Sequence, residues 1–321
     1  MSTASGLERE IQCPASAVIS PMVHEGGVCA DRGNEIHVFC RSVIAGTPRA
    51  LALATLTNAE WRETCEQIDF AVLCGGVLRV RAEVAYRLNV ETEEVTELGM
   101  NLGRHYPPRA ANDVDGTNDY EGFLITGMPV VTDIKTGFWP VTLCKDNPQL
   151  KFHARVLMLK HDVDKGMARI ALDGQIAFDT HIFTRLELDL FGDELVDRRV
   201  RIARANEALQ AGRVEVHANE KWCRYCPAKV ACPKFTSLAR AMLPELREVH
   251  ASWGRMTAEE RAAAYLMAAE ARDLADRIVE SMKRLACTEP IALPNGKVLR
   301  ETSSGVRVVK AEKPGRHRRV A

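Results

Sequence analysis

The alternation of apolar and polar residues along the chain predicts a core that mixes helices and strands. Residues 31–45 and 57–73 carry apolar positions at helical spacing, whereas residues 77–90 alternate as in a half-buried strand. Residues 117–135 predict two strands joined by a turn at Gly127-Met128-Pro129. The first half of the chain therefore predicts helices followed by an antiparallel hairpin.

The second half of the chain predicts further helices around one more hairpin. Pro148 opens a helical stretch to about residue 160, and two strand-like runs then meet near Asp173-Gly174. The pattern is helical again over 190–212 and from the cysteine-rich loop to residue 286. Thr257 and Glu260 predict a capping box at the start of the last helix. The expected fold class is mixed α/β, with a mostly antiparallel or mixed sheet flanked by helices and a helical C-terminal region.

Composition narrows the class of protein without fixing its function. The 321 residues, 46% of them hydrophobic, suffice for a buried core, and no apolar run approaches the roughly 18 residues of a membrane span. We therefore expect a cytoplasmic protein with no membrane partner. The chain has no Walker-type phosphate loop, so it is not expected to be an ATP-driven motor.

The formal net charge of zero gives no general argument for nucleic-acid binding, so local clusters would have to provide one. Two basic clusters are candidates for DNA contacts. A solvated helix face for the first and a disordered tail for the second are equally good interpretations. The clusters are Arg198, Arg199, Arg201 and Arg204, and Lys313, Arg316, Arg318 and Arg319.

Three thiols within ten residues, Cys223, Cys226 and Cys232, predict a metal site in the late loop. Zinc would complete such a site with a histidine, for which His217 is nearest, whereas a [4Fe-4S] cluster would take a fourth cysteine. Cys13 suits that position, since it lies outside any helical pattern and precedes a proline. Spacing alone leaves iron and zinc open. The other cysteines resemble core or helix-face thiols: Cys29, Cys40, Cys65, Cys74, Cys144 and Cys287.

Polar residues at the two strands of the first hairpin predict a hydrolytic centre. Asp119 lies near the start of one strand, and Asp133 and Lys135 lie at the end of the other, on one face by the period of two. Paired carboxylates hold Mg²⁺ for phosphodiester hydrolysis, and a lysine ammonium can stabilise the transition state. His37, on an early helix, is a candidate nitrogen ligand, and Gln149 could orient the lysine or a phosphate. Each residue alone is more often an ordinary surface or helix residue.

The order of these residues resembles the PD-(D/E)XK nuclease superfamily in its RecB branch, over residues 13 to about 235. Its G-x-x-x-H, G-x-x-D, [DE]-x-K and Q-x-x-x-Y motifs match Gly33–His37, Gly116–Asp119, Asp133–Lys135 and Gln149–His153, with histidine in place of the last tyrosine. A subset, including the AddB subunit and CRISPR-adaptation nucleases, adds four cysteines that hold a [4Fe-4S] cluster. Cys13, Cys223, Cys226 and Cys232 match that arrangement, and the chain also resembles phage-borne exonucleases.

The resemblance implies a restriction-endonuclease-like core and assigns roles within it. His37, Asp119 and Asp133, with the Ile134 carbonyl, would bind Mg²⁺ or Mn²⁺, and Lys135 would assist the attacking water. Glu83 resembles a glutamate often found on the strand before the hairpin. The cluster would be structural, because joining Cys13 to Cys223 closes a loop of about 210 residues.

The expected function is a metal-dependent deoxyribonuclease, in particular an exonuclease, in DNA recombination, repair or phage DNA processing. Its substrate would be single-stranded DNA or duplex ends, and a recombinase or helicase is a candidate partner. A catalytically silent DNA-binding subunit and a zinc-bearing adaptor are the alternatives. The expected domains are a nuclease core over 1–235, a helical region over 236–290, and a short hairpin with a basic tail over 291–321.

Overall fold

The computed structural model describes most of the chain and divides it into two compact units. The first comprises residues 1–18 and 25–223, and the second comprises residues 19–24 and 224–321. The predicted turn at Asp173-Gly174 lies outside the described residues. The residues that the structure describes are 3–19, 28–103, 105–135, 141–172, 178–217, 219–223, 226–228, 231–234, 248–249, 252–288, 290–293, 297–302 and 305–310.

A mixed sheet organises the described part of the first unit, as the sequence predicted. Its strand order is β2-β1-β3-β4-β5-β6, and all neighbours are antiparallel except the parallel pair β4 and β5. Strand β2 was not predicted. The strands are β1 Val77–Asn89, β2 Val95–Met100, β3 Asp113–Leu124, β4 Pro129–Lys135, β5 Lys165–Leu172 and β6 Phe178–Thr184.

The helices of the first unit are α1 Leu7–Gln12, α2 Ala15–Val18, α3 Val28–Ile44, α4 Arg49–Ala54, α5 Ala59–Gln67, α6 Phe70–Leu73, α7 Pro148–His161, α8 Arg185–Gln210 and α9 Glu220–Cys223. The stretch 57–73, predicted from its helical spacing, forms two helices, because Asp69 has extended backbone and its carboxylate accepts hydrogen bonds from Ala71 N and Val72 N. Helix α8 begins earlier than predicted, at a capping box formed by Thr184 and Glu187.

The sheet carries a hydrophobic core on each face. Residues of α1, α7 and α8 pack against Val84, Tyr86 and Leu88 of β1 in the core that we call the α7 core. Residues of α3, α4 and α5 pack with Ala82 and Tyr120 in the other, the α3 core. Strand β4 is buried along almost its whole length, since both of its faces are covered.

Three of the four arginines in the α8 basic cluster bind other parts of the protein. Arg198 is buried and donates from Nε to Glu10 Oε2 at 3.1 Å, and Arg201 donates to the Ile11 carbonyl at 2.8 Å. Arg199 donates to Asn112 Oδ1 at 2.8 Å. The contacts of Arg198 and Arg201 secure α1 against α8, so the solvated-face interpretation is wrong for the buried Arg198.

Gly116 allows β3 and α7 to approach closely. A Cβ atom added there would lie 2.7 Å from Ala4 Cβ and Phe152 Cε1, and 2.8 Å from His153 Cε1. We therefore expect Gly116→Ala to lower the free energy of unfolding by about 1–3 kcal/mol, because overpacking must displace buried groups. Urea denaturation measures the effect. Gly254→Ala is the control, since nothing lies within 4 Å of an added Cβ there; equal losses in both variants would contradict the packing argument.

The second unit contains a long helix and a small sheet. Helix α10, Ala258–Thr288, begins at the predicted capping box, in which Thr257 N donates to Glu260 Oε2 at 2.7 Å and Glu260 N donates to Thr257 Oγ1 at 3.2 Å. It packs against two of three antiparallel strands, β8 and β9. These strands are β7 Ile291–Ala292, β8 Lys297–Thr302 and β9 Gly305–Lys310. Every helix within the described ranges is too short or too polar to cross a bilayer.

Candidate active site

The candidate site lies where β3 and β4 stop pairing. The two strands are in register from Phe123 opposite Pro129 to Tyr120 opposite Thr132. Beyond that pair the Asp119 carboxylate accepts a hydrogen bond from Ile134 N at 2.7 Å. A side chain thus takes the place of the backbone ladder, and the two predicted acidic motifs meet there.

The alternation of side chains along β1 is interrupted at Glu83. This residue lies beside the point where β3 and β4 stop pairing. Ala82 packs in the α3 core and Val84 in the α7 core, although they are two residues apart. Glu83 has a φ of +53°, and the register places it opposite Asp119. A non-glycine residue in the left-handed region costs on the order of 1–3 kcal/mol and is concentrated at functional sites. The distorted strand brings Glu83 into the site.

His37 reaches the same carboxylates from α3. Its neighbours Ile36 and Phe39 are buried in the α3 core and fix the helix against the sheet. His37 Nδ1 lies 3.2 Å from Asp119 Oδ1 and 3.9 Å from Glu83 Oε1. Among the described residues, these three form the one group whose ligand atoms all lie within 4.8 Å of one another. One imidazole nitrogen and hard carboxylate oxygens fit Mg²⁺ or Mn²⁺.

The electrostatics of the group are those of a cation site. The charge of Asp119 raises the pKa of His37 to about 9, against the opposing effect of burial. Burial would raise the pKa of Asp119, but the charge and hydrogen bond of His37, with the Ile134 N–H, lower it overall. Burial, together with the charge of Asp119, raises the pKa of Asp133 despite the opposing effect of Lys135. The carboxylates thus attract positive charge, which a divalent cation would supply in place of the histidine proton.

Lys135 lies in a closed ring of contacts with Asp133 and Gln149. Its Nζ lies 2.8 Å from Asp133 Oδ2 and donates to Gln149 Oε1 at 3.1 Å. Gln149 Nε2 donates in turn to Asp133 Oδ1 at 3.1 Å. Gln149 is held at the start of α7, where Asn147 Oδ1 accepts from its backbone N–H. The ammonium is therefore fixed in position at the end of β4.

The structure brings the sequence-predicted residues together in two adjoining sets. His37 and Asp119 group with Glu83, whereas Asp133 contacts Lys135 and Gln149. Ile134 enters through its N–H, and its carbonyl as a metal ligand stays a prediction.

His153, at the position of the tyrosine in the fourth motif, is a buried residue of α7. Neither ring nitrogen has a hydrogen-bond partner among the residues that the structure describes, and the side chain is 1% exposed. Burial lowers its pKa to about 3. The ring is therefore neutral and packs beneath Gly116, so no functional contact is seen for it.

The depressed pKa of His153 predicts acid sensitivity. Between pH 6.5 and 3 the unfolded state binds a proton that the folded state does not, so stability is lost as the pH falls through this window. The full loss is about 5 kcal/mol, at about 1.4 kcal/mol per pKa unit. We expect His153→Leu to flatten the dependence of unfolding free energy on pH over this range. The exposed His105 provides the control variant, His105→Leu, and an unchanged slope for His153→Leu would contradict the assignment.

The predicted cluster ligands are divided between the units. Within the first unit, α1 packs against α9, Cys13 directly follows α1, and Cys223 ends α9. Asn219 N donates to Cys223 Sγ at 3.2 Å, a contact that stabilises a thiolate. Cys226 belongs to the second unit and is buried, as is Ala228 two residues later. His217, the zinc alternative, is exposed.

Comparison with known proteins identifies the family. The family model of the PD-(D/E)XK nuclease superfamily matches residues 4–233, so the chain belongs to this superfamily. No curated protein matches the chain. A solved structure, "Crystal structure of SSO0001", has 17% sequence identity and a TM-score of 0.28, covering 71% of this chain and 96% of that chain. That similarity is too low to carry a conclusion. Membership in the superfamily implies a nuclease that acts on DNA.

Proposed function

We propose that this protein is a metal-dependent DNA exonuclease with a structural [4Fe-4S] cluster. The assignment of nuclease activity is supported above all by the convergence of two sets of residues at the end of β4. One set, His37, Glu83 and Asp119, fits a divalent cation, and the other fixes the ammonium of Lys135 beside it. Superfamily membership supports the same chemistry.

His37, Glu83 and Asp119 would hold the Mg²⁺ or Mn²⁺ ion, and Asp133 is close enough to interact with Asp119 and His37 through its charge. When bound, the ion would make water a better nucleophile and neutralise charge on the scissile phosphate. The Ile134 N–H holds one oxygen of Asp119, which leaves the other directed toward His37. The chain thereby orients the ligands before the ion arrives.

Lys135 would stabilise the negative charge that develops on the phosphate. Asp133 and Gln149 limit its movement, and its side chain remains 28% exposed, so a substrate can reach it. A preorganised ammonium needs no reorientation as the charge develops. Gln149 acts as a positioning residue, because its amide bridges the lysine and the aspartate.

The cluster is supported by the four-cysteine set and by the position of Cys13. The buried pair Glu10–Arg198 fixes α1 on α8, and α1 lies against the helix that presents Cys223. This packing supports the proposal that Cys13 and Cys223 serve the same cluster, although they are about 210 residues apart in the chain. Thiolates in this number and setting suit a [4Fe-4S] cluster, which we propose as a RecB-like feature of the protein.

The proposed substrates are single-stranded DNA and duplex ends, and a recombinase or helicase is the proposed partner in recombination, repair or phage DNA processing. An assay on linear and covalently closed circular DNA with Mg²⁺ or Mn²⁺ tests the exonuclease assignment. We expect linear DNA to be degraded and circular DNA to resist. Equal rates on both would replace the exonuclease by an endonuclease.

A further inference from the structure

The charge of the chain is distributed unevenly, although its total is zero. Residues 297–321 contain eight lysines and arginines against two glutamates, a net charge of +6, so the preceding residues carry −6. Strands β8 and β9 form the described part of this segment. The two strands alone carry four basic residues against one glutamate, so positive charge predominates in the last hairpin of the second unit.

The strand register places basic residues opposite one another in this hairpin. Arg300 of β8 is paired with Arg307 of β9, and Lys297 is paired with Lys310. Like charges directly opposite one another in a sheet destabilise it. The acidic residue of β8, Glu301, is paired with Val306 rather than with a basic residue. The register therefore brings four basic residues close together along the hairpin.

The hairpin is also accessible. Lys297 and Arg307 are exposed, and β9 is the outer strand of the described sheet, next to β8 alone. Helix α10 packs against β8 and β9 and supports them. By the period of two, Arg300 and Arg307 lie on one face of the hairpin and Lys297 lies on the other.

We propose that the β8–β9 hairpin is a second DNA-binding surface, which holds the phosphate backbone without reading its sequence. For the nature of its ligand this proposal rests on the proposed function. A hairpin rich in basic residues, with Lys297 and Arg307 exposed, matches the regular negative charge of a DNA backbone. Phosphate contacts of this kind provide affinity and salt dependence rather than sequence specificity.

The test compares the full-length protein with Arg300→Gln/Arg307→Gln by fluorescence anisotropy on labelled DNA, with divalent cations chelated so that no cleavage occurs. We expect the dissociation constant of the variant to rise about tenfold or more on every sequence tried. On duplex DNA the slope of log Kd against log salt concentration should fall by about 2, one for each lost phosphate contact. Arg307→Lys, which keeps the charge, should retain the affinity of the parent.

The matched control is Lys165→Gln/Arg213→Gln, which removes two exposed positive charges from the first unit. Equal weakening in both double variants would overturn the proposal, since it would show an effect of net charge. Unchanged affinity together with self-association of the hairpin variant would also overturn it, by assigning the arginines to protection of the sheet edge. Binding is measured without cleavage, so the two proposals can fail separately. A protein that does not cleave DNA but shows the predicted change in salt slope would contradict the proposed nuclease function and leave the proposed DNA-binding hairpin standing.

Discussion

Replacement of Asp119 by asparagine is expected to lower the rate of DNA cleavage by about a thousandfold or more. Asp119 lies between His37 and the Ile134 N–H, and its charge is the main reason that positive charge is favoured at His37. Asparagine keeps the shape and can still accept the hydrogen bond from Ile134, but it removes the carboxylate that the cation needs. Losses of this size follow when one electrostatic stabiliser is removed from a preorganised site.

Single-turnover cleavage of labelled linear DNA measures this effect. Lys135→Gln is expected to cause a loss of similar order, because glutamine removes the charge that would face the phosphate. Asp193→Asn, at an exposed position on α8, is the matched control and should cleave at the parental rate. Undiminished cleavage by Asp119→Asn would remove the site assignment.

The second large effect is expected at the cluster. Cys13→Ser should lose most of the iron and the brown absorption near 400 nm, because a hydroxyl is a poor substitute for a thiolate ligand. The protein should also unfold at a lower temperature, since the N-terminal segment loses its covalent connection to the late loop. His217→Ala should keep its full iron content.

Iron and sulphide analysis of anaerobically purified protein shows whether Cys13 or His217 completes the metal site. Retention of iron by Cys13→Ser together with its loss from His217→Ala would return the late loop to a local metal site. Cys226→Ala provides a further check, since it should be colourless and protease-sensitive. Colourless parental protein that contains zinc would rule out the cluster.

The mixed sheet and the β3–β4 hairpin could be predicted because their periodicity is strong and uninterrupted. The same pattern led to Asp119, Asp133 and Lys135, whose spacing relative to the turn brings them to one end of the hairpin. Helix boundaries were less accurate. The break before α6 depends on the backbone conformation of Asp69, which hydrophobic periodicity does not record.

The position of Glu83 could not be predicted from the pattern. The apolar residues Val80, Ala82, Val84 and Tyr86 recur at every second position, which predicts a single face for all of them. In the structure Ala82 and Val84 belong to different cores, because the left-handed backbone of Glu83 turns the strand. The Glu83 carbonyl accepts a hydrogen bond from Asn101 N, which is distant in sequence, and the local pattern does not predict such a contact.

Cleavage that depends on a divalent cation is the property that the proposed metal site most directly requires. The decisive measurement is the rate of degradation of end-labelled linear DNA by the parental protein, first with divalent cations chelated and then with Mg²⁺ or Mn²⁺ restored. We predict no cleavage with the chelator and full recovery on addition of either ion. Cleavage that persists at the same rate when divalent cations are chelated would contradict the assignment of His37, Glu83 and Asp119 to a catalytic metal site.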